Sequence, residues 1–100
     1  MAEKTGIDDL VWGKRDEILR LARKYGATNV RVFGSVARGE ATEHSDIDFL
    51  VDFPPDYSLW DRIGLTQDLE ELLGRSVDVV LAARLREMIR DEILRDAVPL

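Results

Sequence analysis

Between Glu40 and Asp56 the chain carries six acids and not one lysine or arginine. A run of like charge is usually a solvated loop or tail. This one is interleaved with Ile47, Phe49, Leu50, Val51 and Phe53, which solvent cannot accommodate at that density. Strand side chains alternate between two faces. A strand over Asp46–Phe53 therefore sends Ile47, Phe49 and Val51 into a core and leaves Asp46 and Asp48 side by side on the opposite face. The same device recurs at Ser76–Leu81, where Val77 and Val79 face one way and Asp78 the other. If the two strands are neighbours, three carboxylates converge on one spot.

The rest of the chain supplies helices to cover such a sheet. Leu10, Val11, Ile18, Leu21, Ala22 and Tyr25 recur at helical spacing, with Asp8 or Asp9 as cap, Gly26 as stop and Gly13 as a weak point near the start. Val30–Phe33 reads as a short strand that ends at Gly34, and Ser35–Glu40 as a short helix closed by Gly39. A polar loop through His44 follows. Pro54-Pro55 terminates the second strand. Ser58 with Asp61 opens a longer helix like a capping box; Leu65, Leu69, Leu72 and Leu73 form its buried stripe and Gly74 its end. Ala83–Asp96 reads as a last helix bearing Leu85, Met88, Ile89, Ile93 and Leu94. The order α-β-α-β-α-β-α predicts an α/β (α+β) fold, a small mixed sheet flanked by helices. At 100 residues, with no repeat and no linker, residues 1–100 are expected to form a single domain.

Composition removes several functions. With 14 basic against 20 acidic residues, a net charge of −6, the chain lacks the basic footprint needed to grip nucleic acid through its phosphates. No cysteine is present, which excludes disulfide scaffolds, thiolate metal sites and cysteine nucleophiles. No apolar run reaches the roughly 20 residues of a membrane span. Residues Met1 to Gly6 hold no signal-peptide core, so a cytoplasmic location away from any membrane is expected.

Two like charges on one strand face repel, and a sheet gains nothing from them unless a cation lies between. Three hard, anionic oxygen donors suit Mg²⁺ or Mn²⁺, which keep several waters and complete their shells with substrate phosphates. The plainer alternative is that Asp46 ends the strand while Asp48 and Asp78 lie on a solvated face. Gly34-Ser35 stands where a strand stops and a helix is expected to begin. Glycine allows close backbone approach, and a helix N-terminus offers free N–H groups to phosphate. Ser35 adds a hydroxyl and Arg38 a cation. An ordinary tight turn with Ser35 as N-cap is the alternative there.

Taken together, Gly34-Ser35, ten intervening residues and Asp46-x-Asp48, in the stretch GSVARGEATEHSDIDFLVDF, resemble the signature of the DNA polymerase β-like nucleotidyltransferase superfamily. The short chain looks like its minimal nucleotidyltransferase branch over roughly residues 14–96, including Asp78 at the third carboxylate. The resemblance implies a polymerase β-like nucleotidyltransferase core. It implies two Mg²⁺ ions held by Asp46 and Asp48, with Asp78 on the catalytic ion and able to help deprotonate the acceptor. Gly34 and Ser35 would cradle the terminal phosphates of ATP, with Arg38 and Ser45 as further nucleotide or phosphate contacts. It further implies a HEPN-domain ribonuclease toxin as partner, neutralised by transfer of AMP to one of its tyrosines.

Two other functions fit the same residues: an antitoxin that inhibits by covering the toxin, and a nucleotidyltransferase for a small hydroxylated molecule. The second usually needs an additional acceptor domain. A templated or RNA-tailing polymerase is disfavoured by size and charge. The apolar pattern Met88, Ile89, Ile93, Leu94, Val98, Leu100 is expected to pack on the sheet or serve in part as a partner surface. His44 is read as a solvent-exposed loop residue, Trp12 and Trp60 as core or interface residues, and Asp52 as a weak candidate ligand.

Overall fold

A computed structural model describes residues 6–42 and 44–100, with side chains from Asp9 onward. Residues 1–5, the Asp8 side chain and Glu43 of the acidic run lie outside the described residues. Two short helices open the fold, α1 (Gly6–Gly13) and α2 (Arg15–Lys24), in place of the single helix expected. Gly13 is a poor helix former, and Lys14 departs from helical geometry at φ −112° and ψ 20°, which divides the segment. The first helix already includes Asp9, which is therefore not its cap.

Strand β1 (Thr28–Phe33) follows, then β2 (Ile47–Asp52), α3 (Leu59–Leu73) and β3 (Val77–Leu81). A 3₁₀ turn (Ala82–Arg84), α4 (Glu87–Asp96) and a two-residue strand β4 (Val98–Pro99) complete the chain. The sheet is mixed, in the order β3-β2-β1-β4. β1 runs antiparallel to both β2 and β4, whereas β2 and β3 are parallel. Parallel neighbours require a crossover, and α3 is that crossover. Ser58 starts it as anticipated: its hydroxyl accepts from Trp60 N–H at 3.1 Å, while its own N–H donates to Asp61 at 3.2 Å.

The core lies on the face presented by Ile47, Phe49 and Val51, all 1% exposed or less, against Leu65, Leu69 and Leu73 of α3 and Ile18 and Ala22 of α2. Leu50 shares its face with Asp48 yet is wholly buried, and the Ala82–Arg84 turn packs against β2. The carboxylate face is thus covered at one end and open at the end where β1 finishes and β2 and β3 begin.

The C-terminal segment departs from expectation. The last helix begins at Glu87, three residues after the 3₁₀ turn, and none of its residues is buried. Met88 is 94% exposed, with Ile89 and Leu94 also exposed, so the α4 stripe does not enter the core. The segment is held instead by backbone pairing of β4 to β1 and by the Leu100 N–H donating to the Val30 carbonyl at 3.0 Å. Trp60 is likewise a surface residue.

Candidate functional site

The open end of the sheet brings the three aspartates together. In the β2–β3 register Asp48 lies directly opposite Asp78, and on its other side Asp48 faces Phe33, the last residue of β1. Asp46 precedes the strand by one residue and is exposed, as is Asp78, while Asp48 is half-buried. Burial pushes the Asp48 carboxyl above the usual range, and the negative charges of Asp78 and Asp46 push it further; Arg38 partly offsets them. That repulsion is the electrostatic signature of convergence, since like charges raise a pKa only when close.

Gly34 continues β1 straight into this cluster. Its φ of +73° is one that L side chains rarely adopt, and a Cβ there would stand 2.5 Å from Asp48 Oδ2. The positive φ favours glycine, and its bare backbone lies close against the Asp48 carboxylate, which a side chain there would have to push aside. The following segment is not the helix expected over Ser35–Glu40. It makes one turn, with Arg38 N–H donating to the Gly34 carbonyl at 3.1 Å. Gly39, at φ +71°, donates to Val36 O at 3.1 Å, and Glu40 N–H donates to Ser35 O at 2.8 Å. These closures form a Schellman-like stop, so no helix propagates and no macrodipole builds. Burial of Val36 and Ala41 holds the turn in place, so the segment presents turn backbone rather than a helix end.

The remaining predicted residues are positioned less directly. Ser35 is half-buried in the turn. Arg38 bonds Glu40 at 2.8 Å and reaches Asp96 of α4 at 3.6 Å. Ser45 accepts from Thr42 N–H at 2.9 Å, a bond that closes the loop just before Asp46. His44 is exposed. Asp52 lies at the other end of β2, paired with Arg31 at 3.2 Å and bonded by Asn29, outside the carboxylate cluster.

Three residues escaped the sequence reading. The Arg75 guanidinium donates to the carbonyls of Ser45 at 2.9 Å and Thr42 at 3.2 Å, clamping the loop that delivers Asp46. Glu70 accepts from Val77 N–H at 3.1 Å, and Arg62 donates to the Val79 carbonyl at 3.0 Å. Both bonds satisfy outward backbone groups of β3, the edge strand that carries Asp78. The one signal available was the helical spacing of Arg62 and Glu70 on α3, which says nothing of the strand they reach.

The donor set suits a hard divalent cation: three carboxylates, with Asp48 repelled by the charges of Asp78 and Asp46, beside the bare backbone of Gly34. Among the described residues no three His, Asp or Glu side chains by themselves gather tightly enough to hold a metal ion. An ion of the Mg²⁺ type takes few protein carboxylates and completes its shell with water and phosphate, so a site of that kind would be completed by substrate rather than by these side chains alone.

Comparison with known proteins follows the same lines. The nucleotidyltransferase domain family matches residues 15–100. Protein adenylyltransferase MntA of Thermococcus cleftensis is 45% identical over 78 residues, 78% of this chain and 79% of that protein. A solved structure described as a minimal nucleotidyltransferase superposes with a TM-score of 0.85 at 45% identity, covering 93% of this chain and 95% of the other. A mutant of the toxin–antitoxin complex MntA–HpeT superposes with a TM-score of 0.71 at 26% identity, covering 86% and 70%. With a mixed sheet that sets a glycine turn against facing aspartates, and with sequence and fold matched over most of its length, the chain belongs to the nucleotidyltransferase domain family and has the minimal form of that enzyme fold.

Proposed function

We propose that this chain transfers AMP from ATP to a tyrosine hydroxyl of a HEPN ribonuclease toxin and so acts as its antitoxin. The observation that carries the reading is the facing pair Asp48 and Asp78 against the Gly34 turn, in a chain 45% identical to a protein adenylyltransferase. The MntA–HpeT likeness supports a toxin as the partner. A cytoplasmic location is part of this reading, since that is where ATP is abundant; among the described residues no helix is long and apolar enough to cross a membrane.

Asp46, Asp48 and Asp78 would hold two Mg²⁺ ions, or Mn²⁺ in their place. When bound, such ions neutralise phosphate charge and favour in-line displacement at phosphorus. The backbone at Gly34 and the Ser35 hydroxyl bind the terminal phosphates. Arg38 exchanges Glu40 and Asp96 for phosphate oxygens, and Ser45 fixes the loop that aims Asp46. Asp78 accepts the acceptor proton as the hydroxyl oxygen bonds the α-phosphorus; the bond from that phosphorus to the β-bridging oxygen breaks and pyrophosphate leaves. Catalysis by such a small chain is positioning together with charge stabilisation.

The exposed apolar residues of α4 favour a second reading, in which the chain neutralises its partner by covering it. Co-expression with the proposed toxin partner separates the two. The Asp46→Asn/Asp48→Asn variant is expected to bind the toxin yet fail to rescue growth; full rescue would establish steric inhibition instead.

A further inference from the structure

Of the three clustered aspartates, Asp46 alone lies outside a strand. It stands a residue before β2 and is exposed, yet its charge is close enough to Asp48 to act on that carboxyl. Close like charges repel, and an exposed carboxylate on a free loop would swing away into water, where its charge is screened. The arm that carries Asp46 must therefore be held against its own repulsion.

Both flanks of Asp46 are anchored, and to adjacent residues. On one side the Ile47 N–H donates to the Ser76 carbonyl at 3.0 Å. On the other the half-buried Arg75 donates from one guanidinium nitrogen to the carbonyls of Ser45 at 2.9 Å and Thr42 at 3.2 Å. Ser45 and Thr42 are bonded to each other as well. The Ser45 N–H donates to Thr42 O at 3.0 Å, and the Thr42 N–H donates to the Ser45 hydroxyl at 2.9 Å. The arm thus meets Arg75 as a closed loop. Arg75 and Ser76 lead directly into β3, whose second residue is Asp78. One dipeptide ties the Asp46 arm to the Asp78 strand through backbone groups, and leaves the carboxylates free for a cation. The charge at Asp48 is partly offset from elsewhere, by Arg38 of the glycine turn.

We propose that Arg75 is a positioning residue for the carboxylate cluster: through the Ser45 and Thr42 carbonyls it holds Asp46 at the spacing from Asp48 and Asp78 that a divalent cation requires, before the cation arrives. This rests on the reading of the cluster as a metal-dependent transfer site. Without the clamp the loop is ordered only as the cation binds, and that ordering subtracts from affinity. Arg75 acts through the loop backbone and is not itself a ligand.

The test is a Mn²⁺ titration of isotope-labelled protein, read by paramagnetic broadening of amide signals. It compares the parent with Arg75→Met, Arg75→Lys and Ser58→Ala. Arg75 borders a polar cavity of about 270 Å³ rather than the apolar core, so shortening it leaves the core packed. In the parent the amides of Asp46, Asp48 and Asp78 are expected to broaden together. Arg75→Met should need about tenfold more Mn²⁺, with Asp46 dropping out of the set. Arg75→Lys keeps a cationic donor and should fall between the two. Ser58→Ala removes the cap at the opposite end of α3, so it should lower stability and titrate like the parent. Parent-like titration by Arg75→Met, or equal weakening by Ser58→Ala, overturns the proposal. Hydrogen exchange at the Ser45 and Ile47 amides supplies an arm that needs no metal. Arg75→Met should speed it about tenfold while exchange in β1 stays as in the parent; unchanged exchange at Ser45 and Ile47 also overturns the clamp. A parent whose aspartate amides ignore Mn²⁺ counts against the metal reading of the cluster, while the exchange arm still decides whether Arg75 holds the loop.

Discussion

Asp48 is half-buried between Asp46 and Asp78, and its pKa is raised by burial first and by those two charges second. A carboxyl whose folded pKa lies above its unfolded value of about 3.9 binds its proton more tightly when folded. Ionising it therefore destabilises the fold; that cost is absent at pH below the unfolded value and complete above the raised one. Asp48→Asn is expected to melt at a higher temperature than the parent near pH ~7 in chelator, with the difference closing as pH falls through the carboxylate range. Added Mg²⁺ should stabilise the parent and leave the variant unmoved. Thermal melts across pH, with and without Mg²⁺, check both. The alternation of aspartate with Ile47, Phe49 and Val51 made this face legible from residues alone, because period 2 admits one assignment of sides. Arg75 and Glu70 were not legible: each bonds backbone groups brought near only by tertiary folding.

Elements were readable where local chemistry dominates. The cap at Ser58 and Asp61 is such a case, and removing it with Ser58→Ala should destabilise the protein by about 1 kcal/mol, read by urea unfolding. The segment after Gly34 was misread because apolar spacing and a closing glycine suit one turn as well as a helix. What decides is Val36 docking into the core together with the stop at Gly39, so a single turn is all that fits. Strand β4 carries too short a pattern to be seen, at two residues with a proline. Its place follows from the free edge of β1, which the C-terminal residues cover.

At the scale of the molecule, the acidic balance and the exposed apolar helix belong together. The carboxylate cluster concentrates negative charge that divalent cations would neutralise, and α4 offers an apolar surface that the chain's own core leaves uncovered. Met88, at 94% exposure, contributes little to folding. Met88→Ser should change stability by no more than about 0.5 kcal/mol while weakening pull-down of the cognate toxin. Helical spacing foretold the stripe on α4 but not its exposure, because periodicity reports a face and not what covers it. The whole site is assembled from three strand ends and one turn, so catalysis should depend on the cluster as a unit. The direct measurement is transfer of label from α-phosphate-labelled ATP to the purified toxin in the presence of Mg²⁺. The parent chain should label the toxin, γ-phosphate label should not transfer, and Asp46→Asn/Asp48→Asn should abolish the signal. Undiminished labelling by that variant would contradict the assignment of the site.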